Sequence, residues 1–378
     1  MLRAVDNDAL LEKYLKGKRL ALMVSSASLT SSLETTKRKL KSNYSVSMLL
    51  APEHGIKGAK GAGEEFGDET DDETGLPVVS LYGGDSSSLK EKMKDVDAVV
   101  YDVQDVGIRC YTYISSLYQL MELCEETGTE LIVLDRPDPL SRRIEGVVME
   151  DRYRSFVGCY SLPMRYGLTC GEVIEMIRAE EKRRISLTVV PLTDYDPSLF
   201  YDDCSPLWIS PSPALSSFQS TVLYSGFALL EATNLSEGRG TSAPFSFMGA
   251  PFIESWRLAD ELAELSLPGV AFAPASFVPS FSKYAGELCN GVEAIITDKK
   301  AFNGIRSALS FLLTVDSLYG DRLSFLPSSS LPGAKINSLL GTEFRSIETL
   351  RELSRNDWEI LTSNEEGFRK RSMEYRRY

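Results

Sequence analysis

The sequence is poor in histidine and in positive charge. Its 378 residues contain a single histidine, His54, so a metal site built from several histidines is excluded. The 54 acidic residues outnumber the 41 lysines and arginines, which gives a formal net charge of −13. Nucleic acids and anionic membranes bind basic surfaces, and we therefore expect neither as a partner.

Long apolar runs and closely spaced cysteines are also absent. No apolar run has the length of a membrane span, and the first six residues lack the apolar core of a secretory signal. The six cysteines are scattered, without the spacing of a zinc or redox motif. We expect reduced thiols and a cytoplasmic protein, although a secreted or periplasmic protein without its signal peptide would have the same features.

Several catalytic signatures are missing as well. The glycines between residues 55 and 67 do not form the dinucleotide-binding fingerprint, and no phosphate-binding loop follows them. A serine nucleophile elbow is lacking too. The sequence thus implies no cofactor. A metal site made of carboxylates alone stays open as an alternative.

What the chain does contain is a repeated order of apolar strand, polar tip and helix. Apolar runs such as 46–51 and 98–101 predict strands buried on both faces, followed by polar residues and helical stretches. A capping box at Thr169 and Glu172 predicts a helix that reaches about residue 184. This order predicts an α/β fold with a doubly wound, mostly parallel sheet.

The chain length predicts two domains. A chain of 378 residues exceeds the size at which a single core keeps growing. Because the sequence texture changes near residue 247, we divide the chain into a catalytic domain, 1–247, and a smaller α+β domain, 248–378. The stretch 349–377 is predicted to be helical, with Trp358 and Phe368 packing inward.

Polar side chains collect at the predicted carboxyl ends of the strands. They are Glu53 and His54 after one strand, Asp102, Gln104, Asp105 and Arg109 after the next, and Asp135 and Arg136 after a third. Parallel strands bring their carboxyl ends to one edge of a sheet, so these groups can surround one crevice. We favour a structural role for Asp102 and a site role for Asp105 and Arg109. Asp135 and Arg136 can also simply pair with each other.

A fourth polar segment, 231–241, carries further candidates: Glu231, Asn234, Glu237 and Arg239. Its glycines permit close approach of the backbone to a ligand.

Carboxylates at these positions fit the requirements of glycoside hydrolysis. Two carboxylates that flank a sugar, one protonated and one ionised, suffice without metal or cofactor. Glu53, Glu231 and Glu237 meet that requirement by residue type. Glu53 can equally cap a turn, and His54 can either orient that acid or cap its own loop.

Four motifs occur in a fixed order: PEHG at 52–55, DVQDVG at 102–107, LDRP at 134–137 and TNLSEGRGT at 233–241. Together they resemble the motifs of the NamZ-type exo-β-N-acetylmuramidases, and the run FSKYAGE at 281–287 is also similar. The resemblance implies a Rossmann-like N-terminal domain, a smaller C-terminal domain and a site in the cleft between them. It implies release of N-acetylmuramic acid from the non-reducing end of peptidoglycan fragments during cell-wall recycling. The partner would be a small carbohydrate, no nucleotide would be used, and the oligomeric state stays open.

The resemblance also implies roles for individual residues. Glu53 would be the catalytic acid, and Glu231 or Glu237 the second carboxylate, with preference for Glu237 because of the glycines and arginine beside it. Arg109 or Arg239 would pair with the lactyl carboxylate of muramic acid. The other expected substrate contacts are His54, Gln104, Asp105, Arg136 and Asn234.

Four positions depart from the family pattern, one of them Ala214, where an asparagine is expected after Pro213. Tyr166 and Tyr284 stand where relatives commonly have histidine, and we include both among the substrate-binding candidates. A tyrosine can keep a hydrogen bond but cannot carry the charge of an imidazolium. Asp138 stands where asparagine is usual. These departures leave two alternatives open, a non-catalytic muropeptide-binding protein and a glycosidase for another amino sugar.

Overall fold

A seven-stranded sheet organises the first part of the chain in the computed structural model, which describes residues 1–52, 55–56, 69–81, 86–205, 207–329, 334–344 and 365–378. Its strands are β1 (Arg19–Val24), β2 (Ser45–Ala51), β3 (Glu69–Thr70), β4 (Pro77–Ser80), β5 (Ala98–Asp102), β6 (Glu130–Leu134) and β7 (Leu187–Val190). In space they lie in the order β3-β4-β2-β1-β5-β6-β7. All neighbours pair in parallel except β3, which is antiparallel to β4 at the edge. The predicted mostly parallel sheet is confirmed.

Helices cover both faces of this sheet. Along β1, Leu20 and Leu22 belong to one apolar core, whereas Ala21 and Met23 belong to the other. The first core includes residues of α1 (Asp8–Leu15) and α2 (Thr36–Asn43), and the second includes residues of α3 (Ser86–Met93), α4 (Tyr113–Thr127) and α5 (Cys170–Glu180). Strands buried on both sides explain the continuous apolar runs, and the doubly wound arrangement is confirmed.

Local signals set the helix boundaries. Thr169 and Glu172 form the predicted capping box at the start of α5, with each side chain accepting a hydrogen bond from the other residue's N–H. Gly128 ends α4 in the left-handed conformation, at φ +71°. α5 stops at Glu180, short of the predicted end near 184, because Lys182 takes a left-handed φ of +55°.

A smaller, antiparallel sheet lies in the second part of the chain. Its strands are β8 (Phe247–Ala250), β9 (Val270–Phe277) and β10 (Cys289–Ile296), in the order β8-β10-β9. α8 (Ser255–Glu264) packs on it, and α9 (Gly304–Tyr319) contacts α8 and places the Phe311 ring centroid 6.4 Å from that of Phe272 in β9. β9 is the longer partner of β10 and pairs with it from residue 270 to residue 277.

The helix before this sheet joins the two parts. It is α7 (Phe218–Phe227), with α6 (Tyr201–Cys204) preceding it. α7 contacts α9 through two glycines, and a Cβ on Gly226 would lie 1.9 Å from the carbonyl oxygen of Gly304. The boundary between residues 247 and 248 stays a prediction.

The remaining elements are short. They are α10 (Lys335–Leu340), α11 (Glu365–Ser372) and the 3-10 helices Ala4–Asp6, Asp151–Tyr153, Ala228–Ala232, Gly320–Arg322 and Met373–Tyr375. Phe368 of α11 is buried, as expected, whereas Trp358 lies outside the described residues. Beyond α11, the Tyr378 hydroxyl donates to Asp135 Oδ2 at 2.8 Å, so this segment packs on the larger sheet.

Among the described helices, none combines the length and the apolar character needed to span a bilayer.

Candidate functional site

The carboxyl end of β2 leads directly into the first candidate motif. β2 ends at Ala51, and Pro52 is buried beside it. Glu53 and His54, the predicted acid and its neighbour, lie outside the described residues, as do 57–68 of the glycine-rich loop. Their roles stay predictions. The site below is built from the other candidates.

Arg136 follows β6 and forms an ion pair with Asp102 at the end of the neighbouring strand, β5. It donates from Nε to Asp102 Oδ1 at 2.6 Å and from Nη2 to Asp102 Oδ2 at 2.8 Å, and both residues are buried. The alternative pairing of Arg136 with Asp135 is wrong, because the Asp135 carboxylate instead accepts from the Thr169 hydroxyl and the Gly171 N–H. The predicted structural role of Asp102 agrees with this geometry. Because the Arg136 guanidinium is used in this bidentate pair, we infer a structural role for Arg136.

Gln104, Asp105 and Tyr166 form a buried cluster on the loop after β5. The Gln104 amide donates to the carbonyl oxygens of Asp105 and Pro137, at 2.8 and 2.9 Å. Asp105 Oδ2 accepts from the Tyr166 hydroxyl and from the Gly107 N–H. Asp105 Oδ1 has no hydrogen-bond partner among the described residues, and burial raises the pKa of this carboxyl to about 6. Tyr166 is fully buried, and its hydroxyl serves to bind the Asp105 carboxylate.

Asp138, the departure from asparagine, lies against the same loop. Its Oδ1 accepts from the Leu140 N–H at 2.9 Å, and its Oδ2 has no hydrogen-bond partner among the described residues. Burial raises the pKa of Asp138 to about 7. A Cβ on Gly107, at φ +72°, would lie 2.3 Å from Asp138 Oδ1, so this position requires glycine.

Two further candidates bind backbone. Arg109 is fully buried and donates to the carbonyl oxygens of Val147, Leu162 and Leu339, which ties three distant segments together. Burial lowers the pKa of Arg109 to about 10. The Asn234 amide nitrogen donates to a carbonyl at 2.8 Å and its Oδ1 accepts an N–H at 2.9 Å, which holds the loop near residue 323. These contacts favour structural roles for both side chains.

Glu231 and Arg239 line a cavity of about 110 Å³. Its walls include three aromatic side chains, those of Tyr111, Tyr224 and Phe245. The Arg239 guanidinium lies over the Phe245 ring, 5.3 Å from its centroid. The cavity is smaller than the ~300–1,000 Å³ of typical ligand pockets and has room for part of a sugar.

The charged groups at this cavity form a chain of contacts. Arg239 donates to Glu231 Oε1 from Nη2 at 2.7 Å and from Nε at 3.2 Å. Its Nε lies 3.6 Å from Glu237 Oε1, and Lys283 Nζ lies 2.9 Å from Glu237 Oε2. Burial lowers the pKa of Lys283 despite the adjacent carboxylate.

The two candidates for the second carboxylate differ in access. The Glu231 side chain is 22% exposed and lines the cavity. That of Glu237 is 3% exposed and is not part of the cavity lining. The geometry therefore favours Glu231, although the glycines beside Glu237 pointed to the latter. Lys283 was not among the sequence candidates, even though it lies in the run 281–287. Its neighbour Tyr284, half-buried at φ +57°, is not among the residues that line this cavity.

No group of three acidic, histidine or cysteine side chains that could hold a metal ion occurs in the described part of the chain.

Comparisons with known proteins agree with the motifs. The family model for the N-terminal domain of the exo-beta-N-acetylmuramidase NamZ matches residues 20–219, and the model for its C-terminal domain matches 222–378. The peptidoglycan beta-N-acetylmuramidase NamZ of Bacillus subtilis (strain 168) is 40% identical over 338 residues, which cover 89% of this chain and 82% of the relative.

Solved structures show the same fold over the whole chain. A DUF1343 family protein of Bacteroides fragilis NCTC 9343 superposes with a TM-score of 0.86 at 32% identity, and a second from the same organism with 0.77 at 26%. Each comparison covers 100% of this chain and 98% of the other. The resemblance predicted from the motifs is confirmed, and the chain belongs to the family of the exo-β-N-acetylmuramidase NamZ.

Proposed function

We propose that this protein is an exo-acting glycoside hydrolase that releases N-acetylmuramic acid from the non-reducing end of peptidoglycan fragments. The observation that carries the proposal is the Glu231–Arg239 pair at the cavity, in a chain that is 40% identical to a peptidoglycan beta-N-acetylmuramidase. The substrate is accordingly a carbohydrate derived from peptidoglycan.

Glu231 supplies the ionised carboxylate of the reaction. Its Oε1 accepts two hydrogen bonds from the Arg239 guanidinium, an arrangement that binds the charged form. Oε2 has no hydrogen bond among the described residues and is free to act on the sugar. Because hydrolysis also needs a protonated group, a different residue donates the proton, and we propose Glu53 for that role from its place in the PEHG motif.

Arg239 binds the lactyl carboxylate of muramic acid. Two of its nitrogens contact Glu231, and Nη1 makes no hydrogen bond with the described residues, so a planar anion can bind there. Arg109, the other candidate, uses its guanidinium on three carbonyl oxygens. Arg239 therefore discriminates muramic acid from glucosamine, which lacks the lactyl group.

The proposal is tested with 4-nitrophenyl N-acetyl-β-muramide beside the corresponding glucosaminide. The wild-type protein is expected to release chromophore from the muramide, and Glu53→Gln is expected to lose this activity. Wild-type protein that is folded but hydrolyses neither sugar would refute the proposal and favour a binding role.

A matched pair of variants tests the assignment of the second carboxylate. Glu231→Gln is expected to reduce kcat for the muramide by about a hundredfold or more, whereas Glu237→Gln, which acts at a distance from the sugar, is expected to have the smaller effect. A larger loss in Glu237→Gln than in Glu231→Gln would return Glu237 to the catalytic role.

We also propose that the protein works in cell-wall recycling in the cytoplasm. All six cysteines are free thiols and four of them are buried, which suits a reducing compartment. The cells that produce this protein would be fractionated, and the protein would be detected in each fraction with an antibody. Recovery from a secreted or periplasmic fraction would refute this proposal.

A further inference from the structure

Lys283 lies in the loop between β9 and β10 and binds the segment that carries the proposed catalytic carboxylate. Its ammonium donates to the carbonyl oxygens of Leu230 and Leu235, both at 2.8 Å, and to Glu237 Oε2 at 2.9 Å. A lysine has three donors, so this ammonium is fully used. The three acceptors lie on both sides of Glu231 in sequence, and one side chain thereby fixes the segment around it.

The loop holds Lys283 with a strained backbone. Ser282 and Tyr284, on either side of it, both take left-handed conformations, at φ +70° and +57°. The loop is also attached to Gly240, whose carbonyl oxygen accepts from the N–H and the hydroxyl of Ser280, at 2.9 and 2.8 Å. Strained residues of this kind persist only where surrounding contacts fix them, and they are concentrated at functional sites.

Arg239 has two carboxylates within reach. Its Nε lies 3.2 Å from Glu231 Oε1 and 3.6 Å from Glu237 Oε1. Glu237 is buried and needs a cation to offset its desolvation, and Lys283 supplies one. Without Lys283, Arg239 would be the cation left to Glu237 among the described contacts, and the guanidinium would be drawn away from Glu231.

We propose that Lys283 is a positioning residue that neutralises Glu237 and so keeps Arg239 on Glu231 at the cavity. The inference rests on the function proposed above. Its effect on the sugar is indirect, because Lys283 contacts neither the cavity lining nor the proposed substrate group.

Charge removal at both ends of the Lys283–Glu237 contact tests the proposal. Lys283→Met is expected to lower kcat/KM for 4-nitrophenyl N-acetyl-β-muramide by roughly tenfold to a hundredfold, since a shift of about 1 Å in a reacting group has effects of this size. The double variant Lys283→Met/Glu237→Gln is expected to recover most of that loss, because a neutral amide does not compete for Arg239. Lys299→Met is the matched control, since Lys299 also joins two carboxylates, Asp202 and Asp203, and is expected to match wild type.

Each result decides the question. A double variant as impaired as Lys283→Met would show that Lys283 merely holds the backbone, and a fully active Lys283→Met would also overturn the proposal. If Lys283→Met does not fold, a folded and active double variant supports the proposal and an unfolded one overturns it. If the wild type hydrolyses neither sugar, the proposed function fails, and a crystal structure of Lys283→Met decides this inference alone. Arg239 displaced onto Glu237 would support it, and Arg239 still on Glu231 would overturn it.

Discussion

The stability of Asp138→Asn relative to wild type should increase as the pH rises. Asp138 is buried, its Oδ2 has no hydrogen-bond partner among the described residues, and burial raises its pKa to about 7. An aspartate in the unfolded chain titrates near ~3.9. The unfolded state therefore releases this proton first, and the folded state loses stability as the pH rises from about 4 to about 7.

The size of the effect follows from that interval. About three pH units at 1.36 kcal/mol each give roughly 4 kcal/mol in total, of which about 2.5 kcal/mol is lost between pH 5 and pH 8. Asparagine has the same shape and carries no charge, so the variant avoids this loss. For 378 residues the entropy of unfolding is about 0.8 kcal/mol/K, and the advantage in Tm should grow by about 3 °C between pH 5 and pH 8.

Thermal unfolding of wild type and Asp138→Asn at pH 5, 6, 7 and 8 measures this growth. Asp135→Asn is the comparison, because Asp135 accepts hydrogen bonds from Thr169, Gly171 and Tyr378 and should lose stability when it becomes an amide. Burial raises the pKa of Asp135 only to about 6, so the pH dependence of this variant should level off about one pH unit earlier than that of Asp138→Asn. An Asp138→Asn advantage that is constant across the pH range, or that shrinks at pH 8, would refute the reasoning.

Three further outcomes are expected. Gly107→Ala should lower the free energy of unfolding by about 2 kcal/mol or more, because its Cβ would lie 2.3 Å from a buried carboxylate oxygen at φ +72°, whereas Gly75→Ala, at φ +67° with open space, should cost about 1 kcal/mol. Equal losses in thermal unfolding would contradict this. Arg109→Met should destabilise the fold by about 3 kcal/mol, since three carbonyl oxygens lose their donor, and should leave KM for the muramide nearly unchanged, whereas Arg239→Met should raise that KM. The reverse pattern in steady-state kinetics would exchange the two assignments. EDTA should leave muramide hydrolysis unchanged, and loss of activity that a divalent cation restores would favour the carboxylate-metal alternative.

The secondary structure was largely predictable because its signals are local. Strands buried on both faces are continuous apolar runs, and a capping box at Thr169 or a left-handed Gly128 marks a helix end within a few residues. α5 was predicted too long because nothing in the charged run before residue 184 announces that Lys182 reverses its φ. The doubly wound order followed from the alternation of these elements.

The contacts at the strand tips depend on which strands become neighbours, and sequence does not give that. Asp135 and Arg136 are adjacent in the chain, yet Arg136 binds Asp102 because β5 and β6 lie side by side. Likewise, Glu231 and Glu237 are equivalent by residue type. Only the fold shows that Glu231 lines the cavity and that Glu237 is buried beside it. Lys283 acts from 46 residues beyond Glu237, which no local pattern could reveal.

The hydrogen bond between Tyr378 and Asp135 has a consequence for synthesis of the chain. All seven strands of the larger sheet have been made by residue 190, but Asp135 receives the Tyr378 hydroxyl only 243 residues after its own translation. Glu172 likewise accepts a hydrogen bond from the N–H of Arg377, which is translated much later. While the N-terminal half emerges from the ribosome, these two buried carboxylates therefore lack one hydrogen bond each. Their packing is completed only after the residues of both sheets have been translated.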